Sequence, residues 1–194
     1  MISPSTAPRA SALPLTVRLR RLSRWIRGLS LVAGLLLLAT PLMVLLIPET
    51  LMDAGFQQIG GLDMVGLSQD GLTLAVRTRL ALVTLWPVGI GLGLMWQLWS
   101  LFGEYLKGNV FGQRALTCLH RFSALLLALS ITIPLSHVLL SVAVSWDNPP
   151  GQRQLIVSIS SNDYALVLGA LVFLAIARVM GEAARVAEEN EGFV

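Results

Sequence analysis

SSNDYALVLGALVFLAIARVMG, residues 160–181, decides whether this chain crosses a bilayer three times or four. Between Asp163 and Arg178 lie only 14 uncharged residues, Tyr164 to Ala177, whereas a hydrocarbon core about 30 Å thick takes about 20 residues of helix. The flanks make up the difference. Ser160 followed three residues later by Asp163 has the form of a capping box, which starts a helix at Ser161. Arg178 keeps its aliphatic stem in lipid and lifts its guanidinium to the headgroups. The segment therefore reads as a span from about Ser161 to Met180, the alternative being a re-entrant or interfacial piece.

Working outward from it, charged residues leave three longer gaps, Gly28 to Pro48, Leu80 to Gly103 and Phe122 to Trp146, of 21, 24 and 25 residues. Each is long enough to cross unaided. The whole chain is 55% hydrophobic and 13% charged, against about 25% charged in a soluble domain, so lipid solvates most of it. These features predict an all-α membrane protein, a four-transmembrane-helix bundle with spans over about 26–48, 80–103, 122–146 and 161–180. The membrane domain covers 28–181, and a helical tail follows over 182–194.

Of the 14 basic residues, 11 fall in the segments on one side of such a bundle and three on the other. The positive-inside rule places the richer side in the cytoplasm. The protein is thus expected in a bacterial inner membrane, N-in and C-in; 13 of the 14 being arginine also hints at a GC-rich bacterial genome. Residues 1–14, rich in Ser, Pro and Ala, are expected to be disordered. Over 15–27, Leu15, Leu19, Leu22 and Ile26 recur at helical spacing. Arg18, Arg20, Arg21, Arg24, Trp25 and Arg27 are candidates to contact lipid headgroups, anionic ones included, from an amphipathic helix that turns into the first span near Trp25. The alternative is that these arginines only fix topology, and an Arg-rich, acid-free start also fits a mitochondrial presequence.

On the opposite side, Leu72-Thr73-Leu74-Ala75-Val76-Arg77 alternates like a strand, and Gln154-Leu155-Ile156-Val157-Ser158-Ile159 is rich in β-branched residues. The two are expected to pair as a small two-stranded periplasmic β-ribbon. Within the spans, Pro41, Pro87 and Pro134 should bend their helices. Gly89 with Gly93 and Ala165 with Gly169 give small residues four apart, a signal for close helix packing inside the chain or in a homodimer.

Chemistry is scarce. The uninterrupted gaps hold no Asp, Glu, Lys or Arg, and proton-moving proteins rely on such groups. His137 is the one titratable side chain there, expected as a hydrogen-bonded structural histidine. Cys118, His120 and His137 are too few and too scattered for a zinc site. Gly66-Leu-Ser68-Gln-Asp70 lacks the last glycine of a nucleophile elbow, and Gly89-x-Gly91-x-Gly93 lies in a span, where a nucleotide loop is not found. Neither an enzyme nor a metal, cofactor or direct nucleic-acid site is expected.

The remaining polar residues cluster on the cytoplasmic side. Phe111, Arg114, Arg121, Glu188, Glu189, Glu191 and Phe193 are candidates for a surface that meets a cytoplasmic protein. Carboxylates at a helix C-terminus oppose its dipole, so Glu188, Glu189 and Glu191 are expected to dock on Arg114, Arg121 or the N-terminal arginines. Arg185 also has Glu182 and Glu189 at helical spacing.

Lys107-Gly-Asn-Val-Phe111, Asp163-Tyr-Ala-Leu-Val-Leu-Gly169 and the closing Arg178 to Val194 together resemble the bacterial domain-of-unknown-function family two-nine-seven-five, over most of the chain from about Leu31. The resemblance implies a four-helix inner-membrane protein with no established activity. Because some members are encoded beside a small helix-turn-helix regulator, it also implies a partner of that kind. Gly112 stands where the family tends to have a threonine capping the third helix, which weakens that cap. The favoured expectation is a non-enzymatic protein that presents its cytoplasmic loop and tail to a partner, and the rival is a channel or carrier for a small or apolar solute.

Overall fold

The computed structural model describes residues 13–46, 58–59, 62–63, 73–108, 112–153, 155–157 and 159–191, with side chains described from Arg20 onward except those of 58–63, 187, 188, 190 and 191. Four helices carry the chain: α1 Leu13–Leu46, α2 Leu74–Leu106, α3 Gln113–Ser145 and α4 Ser161–Glu191. All four are long and apolar enough to cross a membrane, which makes this a multi-pass membrane protein. At about 1.5 Å per residue each helix is about 46–51 Å long and overshoots an apolar layer of about 30 Å.

The extensive contacts run between chain neighbours, α1 with α2, α2 with α3 and α3 with α4. In the most apolar stretch of each helix, 28% and 33% of residues are buried in the inner α2 and α3 and only 11% in the outer α1 and α4. At one end Val44, Val76, Leu80, Leu140 and Val144 form a core; at the other Leu101, Ala115, Leu119 and Ala177 form a second. The helices therefore alternate in direction, and the N-terminus of α1 and the C-terminus of α4 lie at the same end. That end carries Arg27, Lys107, Arg114, Arg121 and Arg178 and is the arginine-rich end of the bundle.

The capping box is present. Ser160 donates its backbone N–H to Asp163 Oδ2 at 2.8 Å, and Asp163 donates its own to Ser160 Oγ at 3.3 Å. Helix α4 starts at Ser161. Ser160→Ala should lower stability by about 1 kcal/mol, read as an earlier thermal midpoint in mild detergent.

The expected ribbon between 72–77 and 154–159 is overturned. Leu74 opens α2, and Thr73 is its N-cap, its hydroxyl accepting from Val76 N at 3.4 Å. An alternation only six residues long fits a helix start equally well, and Val76 and Leu80, one turn apart, bury together against Leu140 and Val144. The described residues of 155–159 form no strand. Ile156 N–H instead donates to Ser141 Oγ at 3.1 Å, while that hydroxyl donates to Val138 O at 2.8 Å. Ser141 is fully buried, so Ser141→Ala leaves an orphaned amide and should cost about 1–3 kcal/mol, seen as faster hydrogen exchange at Ile156. A separate hairpin pairs Gln58–Ile59 with Leu62–Asp63, two residues a strand.

Nor does α1 turn at Trp25; it is helical without a break from Leu13 to Leu46. Its basic first part continues the span's axis because nothing in 15–27 breaks a helix. Residues 1–12 of the expected disordered segment lie outside the described residues. Pro41, Pro87 and Pro134 all sit inside uninterrupted helices.

Of the small residues expected to pack closely, Gly93 lies tight against another helix while Gly89, Ala165 and Gly169 do not. A Cβ on Gly93 would meet Leu125 Cδ1 at 3.3 Å, and one on Gly91 would meet Leu37 Cδ1 at 3.1 Å, but Gly89 faces open space. On α4, Ala165 is exposed and Gly169 has no neighbour within 4 Å. The buried seam of α4 is Asp163, Ala170, Ala177 and Ala184, seven residues apart, the period of helices that pack nearly antiparallel over many turns.

Candidate functional site

The site grows from the end of α2. Trp96 and Trp99, three apart, share a helix face and stack with ring centroids 5.6 Å apart. One turn later Gly103 leaves room beside them: a Cβ there would stand 3.9 Å from Arg27 Cζ. The Arg27 guanidinium lies over the Trp99 ring, 4.1 Å from its centroid, where ring quadrupole and cation attract. Arg27 Nε is buried and has no hydrogen-bond partner.

Glu104 follows on the same side, with a side chain only 10% exposed. Its Oε1 accepts from Lys107 Nζ at 2.7 Å and stands 4.0 Å from Arg114 Nε. Gly108, at φ +87°, takes the left-handed conformation that ends α2 and turns the chain back. Gly112 is then the N-cap of α3 and supplies no side-chain hydrogen bond. At φ −66° and ψ 148° any residue fits, so Gly112→Thr should stabilise by a few tenths of a kcal/mol, measured by thermal unfolding.

Two recesses result. One, of about 360 Å³, is lined by Arg27, Trp99, Glu104, Lys107, Arg114 and Cys118. The other, of about 350 Å³, shares Trp96, Ser100, Arg114 and Cys118 with it and adds Thr117 and Arg121. The two recesses together are lined by four cations, Arg27, Lys107, Arg114 and Arg121, and by one carboxylate, Glu104, which pairs with Lys107 and lies near Arg114. Cations in such a recess favour anions over neutral or positive groups, and arginine's planar fork suits phosphate or carboxylate oxygens in particular.

Of the residues predicted from sequence, Arg114 and Arg121 line this cleft, as does Arg27, which folds inward onto α2. Arg20, Arg21, Arg24 and Trp25 are exposed on the outside of α1. Glu189 does not reach Arg114 or Arg121: its carboxylate accepts from Arg185 Nη1 at 2.7 Å, and Glu182 binds the same guanidinium. Phe111 and Phe193, and the side chains of Arg18, Glu188 and Glu191, lie outside the described residues. His137 is buried on α3, but its Nδ1 has no hydrogen-bond partner, unlike the bonded histidine expected. Trp96, Trp99 and Glu104 were not singled out by sequence reasoning, although a carboxylate closing a span, one turn after two tryptophans, was the available signal. Among the described residues no three His, Cys, Asp or Glu side chains are grouped to hold a metal ion.

No curated protein and no solved structure matches the chain. A family model described as "Protein of unknown function (DUF2975)" matches residues 68–192, which contain α2, α3, α4 and every cleft residue except Arg27. The match begins later than Leu31, so α1 falls outside it. Helix α1 nevertheless closes one wall of the cleft. With more than half of its length matched by that model, the chain belongs to the DUF2975 family of proteins of unknown function.

Proposed function

We propose that this is a non-enzymatic protein of the bacterial inner membrane, N-in and C-in, which presents the α2–α3 connection and the end of α4 to a cytoplasmic protein partner in a regulatory role. The observation that carries this reading is the overshoot of α4. The helix continues from Arg178 to Glu191, about 20 Å at 1.5 Å per residue, with Glu182, Arg185 and Glu189 all exposed. A helix that leaves the apolar layer with a charge triplet paired within itself, Arg185 between Glu182 and Glu189, offers a rigid, water-facing handle. The family resemblance adds a small helix-turn-helix regulator as a partner class.

The buried hydroxyls of α3 also favour this reading over a channel or carrier. Ser123, Ser130, Thr132, Ser136, Ser141 and Ser145 each donate to a carbonyl three or four residues back in their own helix. A polar pathway needs such groups turned toward a solute. Photo-crosslinking in cells from a probe at position 189 should yield an adduct with one soluble protein, lost when Glu182 and Arg185 are both changed to alanine. Absence of any adduct from Glu189, or an externally active reporter fused after Val194, would sink the proposal. Solute flux in liposomes would support the rival.

A further inference from the structure

The cleft at the arginine-rich end does not stop at its charged walls. Trp96 and Trp99 are shared with a third recess, of about 260 Å³, lined by Leu31, Gly34, Leu35 and Leu38 of α1 and by Leu92 and Met95 of α2. This groove is almost wholly apolar and follows α1 for about two turns into the span. Leu31, Leu35 and Leu38 along it are all more than half exposed, so it opens sideways to the surroundings of the helices.

Head and groove together have the chemistry of one kind of molecule. Arg27, Lys107, Arg114 and Arg121 line the adjoining recesses, and Glu104 is the single carboxylate in either lining, so positive charge is in surplus there. Arg27 Nε is buried without a partner at the junction, next to the tryptophan pair. A soluble anion satisfies the cations and leaves the groove empty. An apolar solute does the reverse. We propose that the cleft and groove together form a binding site for one anionic phospholipid, its phosphate held by Arg114, Arg121 and Arg27 and one acyl chain lying in the groove between α1 and α2, across Trp96 and Trp99. The paired indoles sit where polar head meets apolar chain, the level at which tryptophan is enriched in membrane proteins. This site goes beyond the partner-presenting role proposed above and stands whether or not a protein docks on α4.

Native mass spectrometry of the full chain in mild detergent, titrated with phosphatidylglycerol, phosphatidylcholine and inorganic phosphate, tests it. Phosphatidylglycerol should be retained one per chain, at least tenfold more tightly than phosphatidylcholine, and inorganic phosphate at equal concentration should not displace it. Arg114→Ala with Arg121→Ala should weaken retention about tenfold or more, whereas Arg20→Ala with Arg21→Ala and Arg24→Ala, on the outer face of α1, should leave it unchanged. If the cleft variant does not fold, Gly34→Leu keeps the test alive. Its Cβ would stand 3.8 Å from Leu92 Cδ2 and 4.0 Å from Met95 Cβ, ordinary contacts, and the side chain fills the groove without touching a cation. Retention should fall there too. Equal binding of the two lipids, displacement by phosphate, or undiminished retention in Gly34→Leu would each overturn the site. Crosslinking from Glu189 reads the partner separately, so either idea can fail alone.

Discussion

Ala170→Leu should pry α4 away from α3 and destabilise the protein by about 1–3 kcal/mol, the range for forcing methylenes into a filled core. Ala170 is 0% exposed, at the centre of the Asp163, Ala170, Ala177 and Ala184 seam. One turn further along, Phe173 packs edge-on against Phe122, centroids 5.4 Å apart, so a leucine cannot be absorbed by sliding the helix outward without breaking that contact. Ala165→Leu, at an exposed position one turn away, should shift stability by no more than about 0.5 kcal/mol. Thermal unfolding in mild detergent compares the two. Equal effects would mean that the seven-residue seam is not where α4 packs. The opposite order would restore the Ala165 and Gly169 assignment.

Glu104→Arg is expected to have the second large effect. It sets a fourth guanidinium or ammonium group among Arg27, Lys107 and Arg114, at a position whose native side chain is 10% exposed. Removing one partner from a fully buried pair costs about 3–5 kcal/mol. Here Lys107 and Arg114 are 61% and 81% exposed and water resolvates them, so about 2–3 kcal/mol is the expected loss. Glu104→Gln keeps an acceptor for Lys107 and should lose about 1 kcal/mol. Combining Glu104→Lys with Lys107→Glu should recover only part of the loss, because Arg114 and Arg27 still face the new cation. Full recovery, measured by the same unfolding assay, would reduce the cluster to a simple pair.

These two positions mark how far the amino-acid pattern reaches. That Ala170 is small is plain from the sequence, but so are Ala165, Gly169 and Gly89, and only some of these touch another helix. Lipid tails are as apolar as leucine, so a lipid-facing residue and a packed one satisfy the same hydropathy pattern. The rotation of each helix about its axis is therefore not written in its apolar periodicity. Arg27 shows the same point from the polar side. It belongs by spacing to the arginines at the start of α1, yet Gly103 and Trp99, far away in the chain, draw it inward. Where local chemistry was specific, the pattern sufficed: Ser160 and Asp163 cap α4 as their spacing requires. Where it was short, as at Leu72 to Arg77, the alternation fitted two structures, and burial of Val76 and Leu80 chose the helix.

By itself, the chain of residues determined four helices able to cross a membrane, both outer termini at one end, and the start of the last helix, because length, charge gaps and a cap are properties of neighbouring residues and need no partner. Only the tertiary structure decided which alanines and glycines meet another helix, that Arg27 rests on a tryptophan, and that a charged cleft runs into an apolar groove. Those features depend on how four rods are rotated and paired, a matter settled by contacts between residues distant in sequence in a solvent that does not distinguish one apolar face from another.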